Sequence, residues 1–133
     1  FWNIWSKSED NKSLEPNLES KIIKKPLSVL GIQSESINDF VLRKVNIGNV
    51  LSIFTFSAEI SSEYIKCFKK LEEDNMFFIA TGYADEVYGY LPTQKQIDEG
   101  GYESKDHLKS FLISGEYNLS TQNIVESWIK EIL

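Results

Sequence analysis

The chain has 133 residues, 41% of them hydrophobic, and 14 Lys and Arg against 20 Asp and Glu give a net charge of −6. That length suits one domain with a real core, and the acidic balance leaves no basic stripe to displace counterions from phosphates, which argues against general nucleic-acid binding. A single cysteine, Cys67, and a single histidine, His107, exclude an intrachain disulfide framework, a zinc finger and a multi-histidine metal cage.

The chain opens on Phe1-Trp2-Asn3-Ile4-Trp5, an aromatic cluster with no cationic region of the signal-peptide kind. Such a cluster has either to pack back on the domain or to meet a partner, and the chain reads as a piece of something longer. Residues 6–20 are polar, with Pro16 as a breaker, so residues 1–25 are expected to form an N-terminal segment or linker. From Pro26 the texture changes. Leu27-Ser28-Val29-Leu30-Gly31-Ile32 has strand composition, and Phe40-Val41-Leu42-Arg43-Lys44-Val45 and Val50-Leu51-Ser52-Ile53-Phe54-Thr55-Phe56 flank a turn containing Gly48, a hairpin pattern. The second of these runs is apolar on both faces, as in a central strand.

After Phe56 the apolar period lengthens. Ile60, Tyr64, Cys67, Phe68 and Leu71 share one helical face, which predicts a helix over residues 59–72, ended by Glu72-Glu73-Asp74-Asn75. Residues 76–81 supply another buried strand, too short for the roughly 20 apolar residues of a membrane span. Strand, helix, strand in this order suits a right-handed crossover between parallel strands. Residues 82–105 are rich in Gly and Tyr, a length of loop that is usually functional or disordered, with its bulky apolar and aromatic side chains arguing against disorder, and residues 93–99 within it can make two helical turns stopped by Gly100 and Gly101. Ile124, Val125, Trp128, Ile129, Ile132 and Leu133 mark a final amphipathic helix started by Ser120 or Thr121. The fold class is α/β, a mixed sheet with flanking helices, with residues 26–133 as a portion of a larger layered α/β domain.

Glu59 stands where an apolar strand gives way to the predicted helix. There a carboxylate faces unpaired N–H groups and the positive end of the dipole, which favours its anionic form. It reads either as a plain helix-terminus carboxylate or as a metal ligand or base at the carboxyl end of a central strand, where α/β sheets place their ligands. Asp85 and Glu86 follow the next strand and read as an acid–base or metal pair or as a solvated loop pair. His107 lies in a polar stretch and is expected to be exposed, and Cys67, on the packed helix face, to be an inert apolar side chain. The lone cysteine leans toward a reducing cytoplasm.

Three stretches together resemble one family. Val45-Asn46-Ile47-Gly48 running through Ser57-Ala58-Glu59 is similar to a strand leading into Pro-Gly-Glu, Ala84-Asp85-Glu86-Val87-Tyr88-Gly89-Tyr90-Leu91-Pro92-Thr93 to Ala-Asn-Gly-Tyr-x-Gly-Tyr-x-Pro-Thr, and Gly100-Gly101-Tyr102-Glu103 follows at the matching distance. These are motifs of the neutral/alkaline non-lysosomal ceramidase family, and the chain resembles the carboxyl-terminal part of that family's catalytic domain, closely over residues 27–103. The resemblance implies a zinc amidase that cleaves the N-acyl bond of ceramide. It implies that two histidines upstream hold the metal with the Glu of Pro-Gly-Glu, here Glu59, and a Tyr of the later motif. Ser57-Ala58 replaces Pro-Gly, an ungapped match puts Val87 at the ligand Tyr and Asp85 at the Asn, and Tyr88 falls one residue late, so Tyr88, Tyr83 or Asp85 is left to complete the set. The resemblance assigns Tyr83, Tyr88 and Tyr90 to a lipid-amide substrate. It makes the chain inactive without the upstream part, with which, or with itself, it is expected to associate. The alternative is a non-catalytic binding or structural module on the same scaffold.

Overall fold

Side chains alternate across a strand, so pairing register decides what a sheet buries. The computed structural model describes residues 17–69 and 77–133. Strands β1 (Leu18–Pro26), β3 (Asp39–Ile47), β4 (Leu51–Phe56) and β6 (Phe77–Thr81) form one sheet in the order β1-β3-β4-β6. The first two pairings are antiparallel and β4 with β6 is parallel. Two small ladders flank it: β2 (Ile32–Ser34) pairs antiparallel with β8 (Ile113–Gly115), and β5 (Glu59–Ile60) parallel with β7 (Tyr90–Leu91). Helices α1 (Gln94–Glu99), α2 (His107–Ser110) and α3 (Thr121–Ile132) complete a mixed α/β fold. No helix among the described residues is long and apolar enough to cross a membrane.

The core lies on one side of the sheet. Ile23, Phe40, Leu42, Phe54 and Phe56 point there, and α3 covers them with Val125, Trp128, Ile129 and Ile132. Phe40 meets Trp128 at 5.3 Å between ring centroids, and Phe68 meets Phe54 at 4.5 Å and Phe78 at 5.3 Å. Each such buried ring contributes about 1.5–3 kcal/mol. At the rim, Lys25 of β1 reaches Glu131 of α3 at 2.9 Å.

The hairpin, the parallel crossover pair, α1 and the final helix follow the sequence pattern. The α1 start carries a full capping box between Thr93 and Gln96. Four expectations need correction. Within the expected N-terminal segment, residues 18–25 belong to β1, whose single core residue, Ile23, among lysines and Glu19 makes a weak strand signal of the kind edge strands carry. Residues 27–30 form a 3₁₀ turn, because Leu27 and Leu30 both enter the core and a strand would send them to opposite faces. Of the helix expected over residues 59–72, Glu59 and Ile60 pair as β5, and Ser62–Phe68 is a 3₁₀ helix capped by Ser61. Its expected stop lies outside the described residues. Finally, β6 is an edge strand, with Phe77 73% and Ile79 51% exposed.

Phe68 is the side chain by which the 3₁₀ helix is held to the sheet. Phe68→Ala should therefore lower stability by about 3–5 kcal/mol, while Ile65→Ala, on the same helix but exposed, should stay within about 0.5 kcal/mol. Chemical denaturation of the two variants checks this.

Candidate functional site

Because β4 and β6 run parallel as neighbours, the residues that leave them emerge at the same edge of the sheet. Beyond β4, Ser57 continues the pairing with β3: its N–H donates to the Val41 carbonyl at 3.0 Å, and the Val41 N–H donates to Ser57 Oγ at 2.8 Å. A proline at this position would lose the first of these bonds. Beyond β6, the Tyr83 N–H donates to the Ala58 carbonyl at 3.3 Å and the Ala84 N–H to the Phe56 carbonyl at 3.1 Å. This close approach needs Gly82, since a Cβ there would lie 2.4 Å from the Ala58 carbonyl oxygen. Tyr83 then takes φ of 59°, a left-handed conformation costing a non-glycine residue about 1–2 kcal/mol. In it the Tyr83 hydroxyl donates to a Glu59 carboxylate oxygen.

Glu59 is therefore not a helix-terminus carboxylate. It sits in β5, where its N–H donates to the Gly89 carbonyl at 2.8 Å and its strand partner is Tyr90. Hydrogen bonding to the carboxylate holds the proton on Tyr83 and pushes its phenol up to about 12, and the same carboxylate raises the phenol of Tyr90. The Tyr90 ring stands edge-on to Tyr102 at 5.5 Å and to His107 at 5.3 Å. Beneath it, the Tyr117 hydroxyl donates to the Tyr90 carbonyl at 2.5 Å. The Glu59, Tyr83, Tyr90 group is thus a carboxylate with two phenols, at the surface but fixed from below.

The other expected residues separate. Asp85 is taken by Arg43 in a two-point ion pair at 2.9 and 2.6 Å, which lowers the carboxyl pKa and raises that of the guanidinium. It lines a cleft of about 420 Å³ with Lys24, Asp39 and Glu86. Tyr88 is fully buried, edge-on to Phe40 at 6.4 Å, so it neither faces substrate nor offers a ligand at the surface. His107, expected to be exposed, is fully buried, with Nδ1 donating to the Tyr102 carbonyl at 3.1 Å and its ring against Gly89, where φ is 134° and a Cβ would lie 2.6 Å from the imidazole. Burial pushes its pKa down. Cys67 is half-buried against the core, and burial raises its thiol.

Tyr102, His107 and Tyr117 support the site, and only the glycine and tyrosine density of the loop hinted at this in the sequence. Among the described residues no three His, Cys, Asp or Glu side chains converge to hold a metal ion. Glu59 with Tyr83 and Tyr90 offers oxygen donors that fit a share of a zinc site, not a whole one.

Glu59→Gln should bring the Tyr83 phenol from about 12 toward the ordinary value of about 10, with Tyr90 falling in the same direction. NMR titration of the tyrosine ring carbons reads both. For His107, the unfolded chain takes up a proton before the folded one does. Its contribution to stability is therefore complete above about pH 6.5 and declines as pH falls from there toward the lowered folded pKa. Melting temperatures across this range should lose that component of their slope in His107→Gln. Comparison with protein-family models, curated proteins and solved structures gives no match for this chain.

Proposed function

We propose that the chain supplies the carboxylate edge of a ceramidase-like amide-hydrolase site, with Glu59 as its ligand to a zinc ion that upstream residues of the same protein also hold. The observation that carries this reading is the hydrogen bond from Tyr83 to Glu59 at the carboxyl ends of β4 and β6. It joins the position that matches the family's ligand Glu to the tyrosine loop, in the order the motif resemblance requires. When bound, zinc would polarise the amide carbonyl and lower the pKa of a bound water toward about 7. Glu59 would hold the ion through a carboxylate oxygen. Tyr83, whose one O–H donates to Glu59, would orient that carboxylate on the ion. Tyr90 would back the acyl group of an N-acyl lipid amide. Tyr83, not Tyr88, is the phenol that meets Glu59, because Tyr88 is buried.

One observation favours the non-catalytic module instead: the Glu59 carboxylate is already engaged by Tyr83, a pairing that serves equally to tie two strand ends. Metal analysis and N-acyl amide hydrolysis by the intact protein separate the two readings. On the hydrolase reading, zinc is stoichiometric and both zinc and turnover disappear in Glu59→Ala. Tyr83→Phe then weakens zinc binding or turnover by about 10–100-fold. An intact protein that carries no metal in any preparation and hydrolyses no N-acyl amide would establish the module, and full turnover in Glu59→Ala would overturn Glu59 as the ligand.

A further inference from the structure

The sheet has a second face. Register lines up Leu18, Ile47, Leu51 and Phe77 across all four strands, and Ile53 beside Ile79 one row further along, all turned away from α3. At the two edges Leu18 is 68% and Phe77 73% exposed, and no described residue packs a layer over them. A contiguous apolar patch on a sheet face is a common mark of an interaction surface. The Arg43–Asp85 pair closes it at one end. From strand and residue spacings the patch measures on the order of 300 Å², well under the roughly 800 Å² per partner of a stable two-chain interface. A patch that small is best filled by a segment already tethered to it, for which effective concentration supplies what area does not.

We propose that this face is the docking surface for residues 1–5 of the same chain, Phe1-Trp2-Asn3-Ile4-Trp5. The segment is uncharged in its side chains and carries four large apolar ones, a composition suited to a flat aliphatic and aromatic sheet face. Its tether enters at the right place. The Asn17 carbonyl accepts from the Gly48 N–H at 2.8 Å, which fixes the chain at the end of the sheet where the row from Leu18 to Phe77 lies. Residues 6–17 span up to about 40 Å when extended, more than twice the width of the patch, so the segment reaches every position on it. The inference depends on the sheet face alone and stands whether or not the hydrolase reading does.

Fluorescence of the full chain tests it. Trp128 is in the core on the opposite face, so any response to substitutions on the open face comes from Trp2 and Trp5. With the segment docked, the double variant F77S/I79S, at exposed positions, should red-shift the emission and raise acrylamide quenching severalfold. The same pair in a W2F/W5F background should leave both unchanged. Nuclear Overhauser contacts between the Trp2 or Trp5 indole protons and the methyl groups of Ile53 and Ile79 check the unmodified chain and need no variant to fold. Quenching indifferent to F77S/I79S, or no such contacts, overturns the proposal. So does a concentration-dependent dimer that F77S/I79S dissociates without changing quenching, which would assign the face to a second copy.

Discussion

The parallel pairing of β4 with β6 is the constraint on which the site depends. Antiparallel neighbours, such as β3 and β4, send their carboxyl ends to opposite edges, whereas parallel neighbours send them to one. Here the backbone pairing continues past both strands: Tyr83 bonds back to Ala58 and Ala84 to Phe56, which holds the two exits side by side. The Gly82 contact and the left-handed Tyr83 are what this closeness demands locally. Strain of this sort persists only where the surroundings over-determine it, and it is concentrated at working sites. In this chain it ends in a phenol held against a carboxylate.

Below that surface pair lies an aromatic support. His107, Tyr102 and Tyr117 enclose the strand that carries Tyr90, and β5 is bonded in turn to that strand. The support is polar enough to hold the backbone and apolar enough to keep His107 neutral. Among the described residues its hydrogen-bond accounting leaves two gaps, at the buried Ser104 Oγ and at Tyr88. The Tyr64 hydroxyl donates to the Pro92 carbonyl at 2.9 Å and that of Tyr117 to Tyr90, while the buried Tyr88 hydroxyl has no partner among the described residues. An unpartnered buried hydroxyl costs about 1–3 kcal/mol, and the Tyr88 ring offsets this by filling the core against Phe40. Desolvation pushes its phenol far above the ordinary range, so it stays neutral there.

The two faces of the sheet have different fates. One is sealed by α3 and the 3₁₀ helix, with Phe68 set among Phe54, Phe56 and Phe78. The other carries apolar rows up to the Arg43–Asp85 pair and then turns polar toward the cleft lined by Lys24 and Glu86. The same β4 residues thus alternate between a finished core and a surface still in need of a layer. A sheet built this way belongs to a layered architecture.

Elements whose burial is periodic and local were legible in the sequence: the hairpin around Gly48, the two helical turns stopped by Gly100, and the helix of Val125, Trp128, Ile129 and Ile132. Glu59 and the tyrosine loop could also be singled out, because an acidic residue ending an apolar run and a glycine-rich aromatic loop are each locally unusual. Beyond the hairpin and the parallel crossover pair, what depended on which segments meet was not legible. The charged β1 is a strand only because β3 offers it an edge. Residues 59–60 leave the helical pattern only because the Gly89 carbonyl, far along the chain, accepts the Glu59 N–H. Asp85 is occupied only because Arg43 lies across the sheet, and Tyr83, not Tyr88, reaches Glu59 because a positive φ turns it there. Periodicity reports how a segment divides its own side chains between core and water, whereas partners contributed from elsewhere in the chain are set by tertiary pairing.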